Sequence, residues 1–321
     1  MGMAGYTVAL MMIGVIISPC LYGKEFSDHQ EIKVQRLLKR LNKQALISIM
    51  MRPSFIPEST STYTKKKINA TQAWTKNGRC PKDTVPIRRI KKEDILRSKS
   101  IESFGKKTMT PGILLYGSSS VLEDDPSIGH EVYPGKYGDN NVRLFVYWTA
   151  DGYQRTGCYN TDCPGFVQRS SIVTVGGAYT TVSEYNGNQY ELSMLIWKDS
   201  GNWWLRIGEE LVGYWPGELF NSIGSGATRV LWGGEIVNVE TGGQHTATDM
   251  GSGHFADEGF GKASFFRSLM TVDGFNTLRE AQGLYPQITN SNCYNVKAGD
   301  AGTTWGVYFF YGGPGLNARC P

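Results

Sequence analysis

The chain has 321 residues, 19% of them charged, and a formal net charge of +4. This small net charge hides an uneven distribution, because residues 24–107 hold 21 Lys and Arg against 8 Asp and Glu, whereas residues 108–321 hold 12 against 21. We expect the two parts to attract each other at neutral pH. The basic part carries no RNP-like or zinc-finger signature, so no nucleic-acid partner is predicted.

The first residues predict a cleavable secretory leader. An uncharged apolar run from about Thr7 to Ile17 precedes a small-residue stretch, and the charged sequence KEFSDHQEIK follows it. That run is too short to span a bilayer comfortably, and no later segment is continuously apolar enough to cross one. We therefore expect residues 1–23 to be a signal peptide, and the secreted remainder to have no membrane contact after the leader is removed.

Residues 24–107 predict a basic prosegment that is part helical and mostly irregular. Over Glu31–Ile47 the apolar residues recur at helical spacing, at Val34, Leu37, Leu38, Leu41 and Ala45. Residues 51–72 are rich in Pro, Ser, Thr and Lys, which favours a linker. This linker contains Asn69-Ala70-Thr71, a glycosylation acceptor that is usable only in the secretory pathway. Since we expect the chain to be secreted, we predict glycosylation at Asn69.

Residues 108–321 predict an all-β domain. After about Thr108 glycine and aromatic residues increase, helical periodicity disappears, and short apolar runs recur between turn residues. Short strands at this spacing, several of them alternating apolar and polar residues, predict a sandwich or a barrel. The predicted strands are Arg143–Thr149, Ile172–Val175, Tyr190–Trp197, Trp203–Ile207, Arg229–Trp232, Glu235–Val237, Ala263–Met270 and Trp305–Tyr311.

The cysteines predict two local disulfides. Six are present, of which Cys20 leaves with the leader or borders its cleavage point, and Cys80 is removed with the prosegment or stays unpaired. The remaining four flank short segments and are predicted to pair as Cys158 with Cys163 and Cys293 with Cys320. No CxxC pair and no HExxH motif occurs, so neither a metal site nor a cofactor is predicted.

Carboxylates are the candidate catalytic groups. The sequence has no G-x-S-x-G elbow and no histidine in a setting that marks a general base, which argues against serine and cysteine hydrolases. Glu235 stands in LWGGEIVN, where we predict a buried strand position with a raised carboxyl pKa and a close approach of another chain over the two glycines. Such an acid can protonate a leaving group or activate water. A structural carboxylate that caps a bulge or pairs with an arginine remains the alternative.

Several long motifs resemble the neprosin family of secreted plant proteins. They are GDNNVRLFVYWTADGYQRTGCYN, GNWWLRIGEELVGYWPGELF, LWGGEIVN, GGQHTATDMGSGHFADEGFGKASFFR and the terminal YGGPG. Upstream, LLKRLNKQALISI resembles that family's activation peptide, and GRCPKDTVPIRRIKKEDILR resembles the segment that links it to the catalytic domain. The resemblance covers nearly the whole chain after the leader.

The resemblance implies a two-sheet antiparallel β-sandwich, jelly-roll-like, that acts as a glutamic peptidase and cleaves next to proline in acid. Two glutamates share the water-activation chemistry in that family, and the one in its W-G-G-E motif corresponds to Glu235. The same four cysteines match the family's disulfide positions. The implied location is the apoplast or a similar acidic extracellular fluid.

The other family glutamate lies in an I-E-A-G-W-Q-V motif, for which this chain reads PSIGHEVYPGKYGDNN. One alignment treats Ile128–Val132 as a shortened version, with Glu131 near the catalytic position. The other takes Gly129-His130-Glu131 as the G-H-E that opens the family's domain, joined to Val132 after loss of the N-terminal strands. We prefer the second, and a sandwich that lacks strands is expected to have unpaired edges and impaired activity.

We therefore predict a secreted zymogen: a signal peptide at 1–23, an activation peptide at 24–107 that acts as an intramolecular inhibitor, and a catalytic β-sandwich at 108–321. Its substrate is a proline-containing peptide or protein. The opposite charges suggest that the prosegment lies across an acidic cleft and is released when carboxylates are protonated.

The alternative function is a catalytically impaired binding module for cell-wall polysaccharide or proline-rich protein. In that interpretation exposed aromatic residues, Trp203, Trp204, Trp215 and Tyr214, stack on the ligand. Trp215 and Tyr214 are the predicted substrate-binding residues. The alternation in NWWLRIG instead favours a core position for most of the four.

Overall fold

The computed structural model describes residues 28–42, 51–59, 71–107, 124–238, 242–299 and 304–321. The leader with Cys20 and the glycosylation sequence at Asn69 lie outside the described residues, so both stay predictions. No helix within the described ranges is long and apolar enough to cross a membrane.

The described chain combines short helices with many short strands. The helices are α1 Asp28–Leu41, α2 Lys92–Arg97 and α3 Pro134–Tyr137, with single 3-10 turns at Ala73–Asn77, Gly217–Leu219 and Ala256–Glu258. The strands are β1 Glu58–Ser59, β2 Asp124–Glu131, β3 Arg143–Ala150, β4 Cys158–Tyr159, β5 Val167–Gln168, β6 Met194–Asp199, β7 Asn202–Ile207, β8 Glu210–Trp215, β9 Ser264–Phe266, β10 Met270–Val272, β11 Thr277–Glu280, β12 Asn295–Ala298 and β13 Phe309–Gly312.

These strands form four small sheets. We call the sheet β2-β3-β4 the front sheet and the sheet β5-β8-β7-β6 the rear sheet; the other two are β12-β13-β9 and β1-β11-β10. The pairings are antiparallel except for β1 with β11, which is parallel. The prediction of an all-β, sandwich-like fold with a helical N-terminal region is confirmed.

The main core lies between the front and rear sheets. Leu144 and Val146 of β3 form one buried cluster with Leu205 of β7 and with Val212 and Trp215 of β8. Fully burying one such side chain stabilises the fold by about 1.5–3 kcal/mol relative to leaving it exposed. The front and rear sheets are therefore the two layers of the sandwich.

The predicted strands agree with the structure where apolar and polar residues alternate. Arg143–Thr149 and Trp203–Ile207 correspond to β3 and β7, whereas the strand predicted at Tyr190–Trp197 begins only at Met194. The run Ala263–Met270 is divided between two strands, β9 and β10, and the run Trp305–Tyr311 forms a strand only from Phe309, as β13.

Three predicted strands are not formed. Ile172–Val175 is irregular because the backbone of Thr174 pairs with a prosegment side chain instead of a strand. Arg229–Trp232 and Glu235–Val237 are also irregular, and most of their residues are exposed. Two glycines separate these last two runs, and glycine weakens strand formation because it has no side chain to pack.

The prosegment has a small core of its own. Helix α1 covers much of the predicted helix, whose remaining residues 43–47 lie outside the described ranges. Its buried Val34 and Leu37 pack with Ile90, with Ile95 of α2 and with Phe104. The helical spacing of apolar residues in the sequence therefore marked the face that packs.

The described part of the prosegment contacts the β domain at several points. Gln72 is buried and forms a pair of hydrogen bonds with Thr174, accepting from its N–H at 2.8 Å and donating to its carbonyl at 2.9 Å. The carbonyl of Pro86 accepts from the Thr174 hydroxyl at 2.9 Å, and the carbonyl of Gly105 accepts from the Tyr159 N–H at 2.8 Å. These bonds hold the activation segment against the irregular segment at Thr174 and against β4 of the front sheet.

Both predicted disulfides are formed, Cys158 with Cys163 and Cys293 with Cys320, and Cys80 is free and half-buried. Their sequence separations are 5 and 27 residues. The separation sets the loop-closure entropy that each bond removes from the unfolded chain.

Replacing Cys293 and Cys320 together by Ser is expected to lower the free energy of unfolding by about 3 kcal/mol, since their bond closes the longer loop. The matched control replaces Cys158 and Cys163 and should cost less, about 2 kcal/mol. Urea titration of the prosegment-containing protein measures both values. Equal losses, or a larger loss for the short loop, would contradict the loop-entropy account.

Candidate active site

The candidate site is built on the face of the front sheet that points away from the main core. Phe145 and Tyr147 alternate with the core residues of β3 and pack against Tyr159 of β4, with ring centroids 5.9 and 4.7 Å away. Tyr153 stacks on Tyr147 at 5.7 Å. The outer face of an antiparallel sheet is usually polar, so this aromatic face indicates a covered surface.

Glu131 ends β2 at the rim of this aromatic face. The hydroxyl of Tyr137 donates to Glu131 Oε1 at 2.8 Å, and Asn160 Nδ2 donates to the same hydroxyl at 3.0 Å. Burial raises the pKa of Glu131, while the Tyr137 hydrogen bond and the positive charges of Lys136 and Lys107 oppose the rise. Glu131 is therefore an oriented acid that keeps its proton to a higher pH than an ordinary glutamate.

Glu235 reaches the site from an irregular segment, with 42% of its side chain exposed. The predicted burial of Glu235 in a strand is therefore wrong. The predicted close approach holds at Gly234, where an added Cβ would lie 2.5 Å from Met250 Cγ and 3.0 Å from the Tyr311 ring. It fails at Gly233, which has open space beside it. The tight contact at Gly234 fixes the backbone that presents Glu235.

Lys107 of the prosegment lies on the aromatic face and pairs with Glu235. Its Nζ is 2.6 Å from Glu235 Oε2, and its side chain is only 10% exposed. The ammonium group lies 4.6 and 5.5 Å from the ring centroids of Tyr153 and Tyr147, within cation–π range. The backbone N–H of Lys107 donates to the Tyr147 hydroxyl at 3.2 Å. Lys107 thus occupies the surface beside Glu235.

Glu131 and Glu235 act electrostatically on the same tyrosine. Burial raises the pKa of Tyr159 well above its ordinary value, and the negative charges of Glu131 and Glu235 add to that rise. Lys107 acts on both acids, because it pairs with Glu235 and opposes the rise in the pKa of Glu131. Such effects fall off with distance, so the two candidate glutamates belong to one electrostatic neighbourhood. Their catalytic roles stay predictions.

A buried ion pair lies next to Tyr159. Lys136 Nζ binds the carboxylate of Asp162, and both side chains are largely buried. The same ammonium lies 4.9 Å from the ring centroid of Tyr159 and 5.6 Å from that of Phe104 in the prosegment. Removing one partner of such a pair leaves an uncompensated buried charge, so we expect the pair to be needed for the packing around Tyr159.

Trp215 and Tyr214 are not placed as the prediction of substrate-binding residues requires. Trp215 is fully buried in the main core, and Tyr214 lies on the opposite face of the rear sheet with its hydroxyl 3.4 Å from Met51 Sδ. Trp203 and Trp204 are buried as well. The prediction of an exposed stacking surface is therefore wrong for this form of the protein, since the sandwich and the prosegment cover all four rings.

Lys107, Tyr147 and Tyr159 are site residues that the sequence analysis missed. The alternation in RLFVYW places Tyr147 opposite the core-facing positions of β3, where a polar residue is expected. An aromatic residue at this outward-facing position was the sequence signal that could have identified Tyr147. The contact of Lys107 with Glu235 joins positions 128 residues apart, and local sequence carries no signal for it.

One group with metal-ligand spacing occurs within the described ranges, at His245, Cys293 and Cys320, whose candidate ligand atoms lie within 4.8 Å of one another. Both sulfurs are joined in a disulfide and cannot act as thiolate ligands in this state. The group packs beside Tyr294, in a cluster to which Ile236, the neighbour of Glu235, also belongs. The candidate active site itself offers carboxylic acids and phenols.

Two family models match the chain. The model described as Neprosin matches residues 114–314, which is more than half of the chain, and the model described as Neprosin activation peptide matches residues 36–124. The first match contains Glu131 and Glu235, and the second contains Lys107. The ion pair at the candidate site therefore joins the part that resembles an activation peptide to the part that resembles the mature domain.

Proposed function

The chain belongs to the neprosin family, and from this premise we propose that it is a secreted, latent glutamic endopeptidase that hydrolyses proline-containing peptides in acid. The observation that carries the proposal is the ion pair between Lys107 of the activation peptide and Glu235, on a face that Glu131 also borders. In the proposed mature protein this face is free, and its two carboxyl groups act on one water molecule and one peptide bond.

In the proposed reaction Glu235 takes a proton from water as the water oxygen adds to the substrate carbonyl carbon. Glu131 donates a hydrogen bond to the carbonyl oxygen, which gains negative charge in this step. The intermediate then collapses: the C–N bond breaks, and Glu235 returns the proton to the leaving nitrogen. The raised pKa of Glu131 supports this division of roles, because one acid must stay protonated while the other is ionised.

The activation peptide explains latency in this proposal. Lys107 forms an ion pair with Glu235, and its backbone N–H donates a hydrogen bond to the Tyr147 hydroxyl. Gly105 lies beside β4 with φ +80°, and an added Cβ would approach Asp162 Cβ to 3.0 Å. In this proposal a substrate carbonyl competes with Lys107 and Gly105 for the surface between the two carboxyl groups.

Acid weakens contacts that hold the activation peptide. Ser54 donates to Asp199 through its N–H at 2.6 Å and its hydroxyl at 2.5 Å. Burial raises the pKa of Asp199, but the hydrogen bonds from Ser54 and Ser200 lower it by more, so its pKa is below the ordinary value. Because docking lowers this pKa, its contribution is complete above the ordinary aspartate pKa and is lost as pH falls through the lowered value.

We expect the leaderless chain to lose its activation peptide when it is incubated at about pH 3, below the ordinary carboxyl pKa values, and to keep it at neutral pH. N-terminal sequencing and intact mass follow the conversion, and an internally quenched proline-containing peptide follows hydrolysis. The activity should appear together with the new N-terminus. Retention of the activation peptide under both conditions would contradict the acid-release step.

A further inference from the structure

An extended segment of the activation peptide covers the outer face of the rear sheet, the face turned away from the main core. Its side chains alternate: Pro53, Phe55 and Pro57 are covered, whereas the intervening residues, Arg52, Ser54 and Ile56, are exposed. A period of two is the mark of an extended strand-like peptide lying on a surface. The segment is thus seated as a bound peptide through one proline, one aromatic residue and a second proline.

The aromatic residue of this segment contacts an aromatic surface on the rear sheet. Phe55 packs on a cluster of Trp197, Trp204 and Tyr214, in which the centroids of Trp204 and Tyr214 are 4.7 Å apart. The indole N–H of Trp197 donates to the Phe55 carbonyl at 3.2 Å. We call the surface formed by these three aromatic residues and Asp199 the outer groove.

A carboxylate binds the residue before Phe55 through hydrogen bonds. Asp199 accepts from both the N–H and the hydroxyl of Ser54, a pattern that requires a small hydroxyl side chain at that position. Directly after the buried Pro57, β1 pairs in parallel with β11, so the peptide ends as an added strand. Main-chain pairing combined with pockets for alternate side chains is a recurring mode of peptide recognition.

The outer groove is separate from the candidate active site. Trp204 faces the groove, whereas its neighbours Trp203 and Leu205 belong to the main core on the other side of the same strand. Lys107 and Glu131 lie at the front sheet, beyond that core. A peptide in the groove and a peptide at the carboxyl groups therefore do not compete for the same atoms.

We propose that the outer groove is a peptide-binding exosite that takes an extended segment of a protein substrate with the pattern proline, serine or threonine, aromatic, any residue, proline. The inference rests on the proposed function only in requiring that the activation peptide leaves. Its departure removes Phe55 from the cluster of Trp197, Trp204 and Tyr214, and an exposed apolar patch of this kind marks a binding surface. The segment from Pro53 to Pro57, which lies in the outer groove in this structure, defines the chemistry of the proposed ligand.

A labelled synthetic peptide with the sequence of residues 51–59 tests this proposal by fluorescence anisotropy at neutral pH, where no hydrolysis is required. In the leaderless wild-type chain the tethered segment competes at an effective concentration of roughly millimolar, so the added peptide should bind weakly. Replacing Ser54 and Phe55 together by Ala in the chain weakens the tethered competitor. We expect that double variant to bind the peptide at least about tenfold more tightly than wild type.

Adding Asp199→Asn to the double variant should reduce binding about tenfold, since a charged hydrogen-bond acceptor is lost. The matched control Asp257→Asn removes an exposed carboxylate far from the groove in sequence and should change nothing. A peptide with Ala at the positions of Ser54 and Phe55 should also fail to bind, which keeps the test valid if a protein variant does not fold. Equal binding by wild type and the double variant, or unchanged binding with Asp199→Asn, would overturn the exosite.

These outcomes are independent of the peptidase proposal. Peptide binding that depends on Asp199 in a protein without hydrolytic activity would support the exosite and contradict the proposed reaction. Hydrolysis that depends on Glu235 in a protein whose groove binds no peptide would support the reaction and contradict the exosite.

Discussion

Replacing Glu235 by Gln is expected to lower the hydrolysis rate of the processed protein by about 10²- to 10⁴-fold, the contribution of a positioned general base. Glutamine keeps the shape of the side chain but cannot accept a proton from water. An engineered protease site after Lys107 lets wild type and variant be processed in the same way, so that the rates of an internally quenched proline-containing peptide are comparable.

The matched control for this prediction is Glu218→Gln, an exposed glutamate in the 3-10 turn after β8. It should hydrolyse the peptide at the wild-type rate. If Glu235→Gln retained a rate within about twofold of wild type, the base would have to be another group, because losing a general base costs far more than that.

Replacing Lys107 by Met is expected to speed release of the activation peptide about tenfold at neutral pH and to move acid processing to higher pH. The variant loses a contact with Glu235 and two cation–π contacts with tyrosine rings. Partly exposed contacts of these kinds together contribute about 1–2 kcal/mol. The measurement is the rate of N-terminal conversion as a function of pH, followed by intact mass.

The neighbouring lysine provides the control. Lys106→Met removes the same charge, but Lys106 is exposed and its ammonium group donates to the Arg155 carbonyl at 3.3 Å. It should leave the pH of processing nearly unchanged. Equal shifts for the two variants would mean that net charge, rather than the Glu235 contact, holds the peptide.

A second change tests the docking of the same part of the activation peptide without altering charge. Gly105→Ala places a Cβ against Asp162 at a residue whose φ of +80° favours glycine. We expect it to speed release in the same direction as Lys107→Met.

Alternation in the sequence identified the strands that carry the main core. In β3 and β7 every second residue is apolar, and each strand matches its prediction closely. Strand β2 was missed because DDPSIGHE contains proline, glycine and acidic residues, none of which favours a strand. It forms at the edge of the front sheet, where Pro126 removes no bond from a central ladder. Its existence depends on its partner β3 and not on its own composition.

The candidate site was predictable only in part. The resemblance directed attention to Glu235, and to Glu131 only in the alignment that was not preferred, and the charges of both acids act on Tyr159. The burial of Glu235 was predicted wrongly because the apolar residues around it suggested a strand, whereas the segment follows the surface. The covering role of Lys107 depends on tertiary contact between distant parts of the chain, which composition alone cannot specify.

Adjacent aromatic residues show the same limit. Tyr214 and Trp215 are neighbours in sequence, yet one faces the activation peptide and the other the main core. Which of them a ligand could reach depends on the position of residues 51–57. Sequence identified an aromatic surface, and the fold determined what covers it.

A mutant cycle of Glu131→Met, Glu235→Gln and the double variant tests most directly whether these two acids work as one unit. Methionine keeps much of the length of the glutamate side chain but can neither donate to the substrate carbonyl oxygen nor accept from Tyr137. We predict that each single variant of the processed protein loses most of the activity and that the double variant loses no more than either single one. Full activity of the Glu131→Met protein, or losses that multiply in the double variant, would contradict a shared water-activation site.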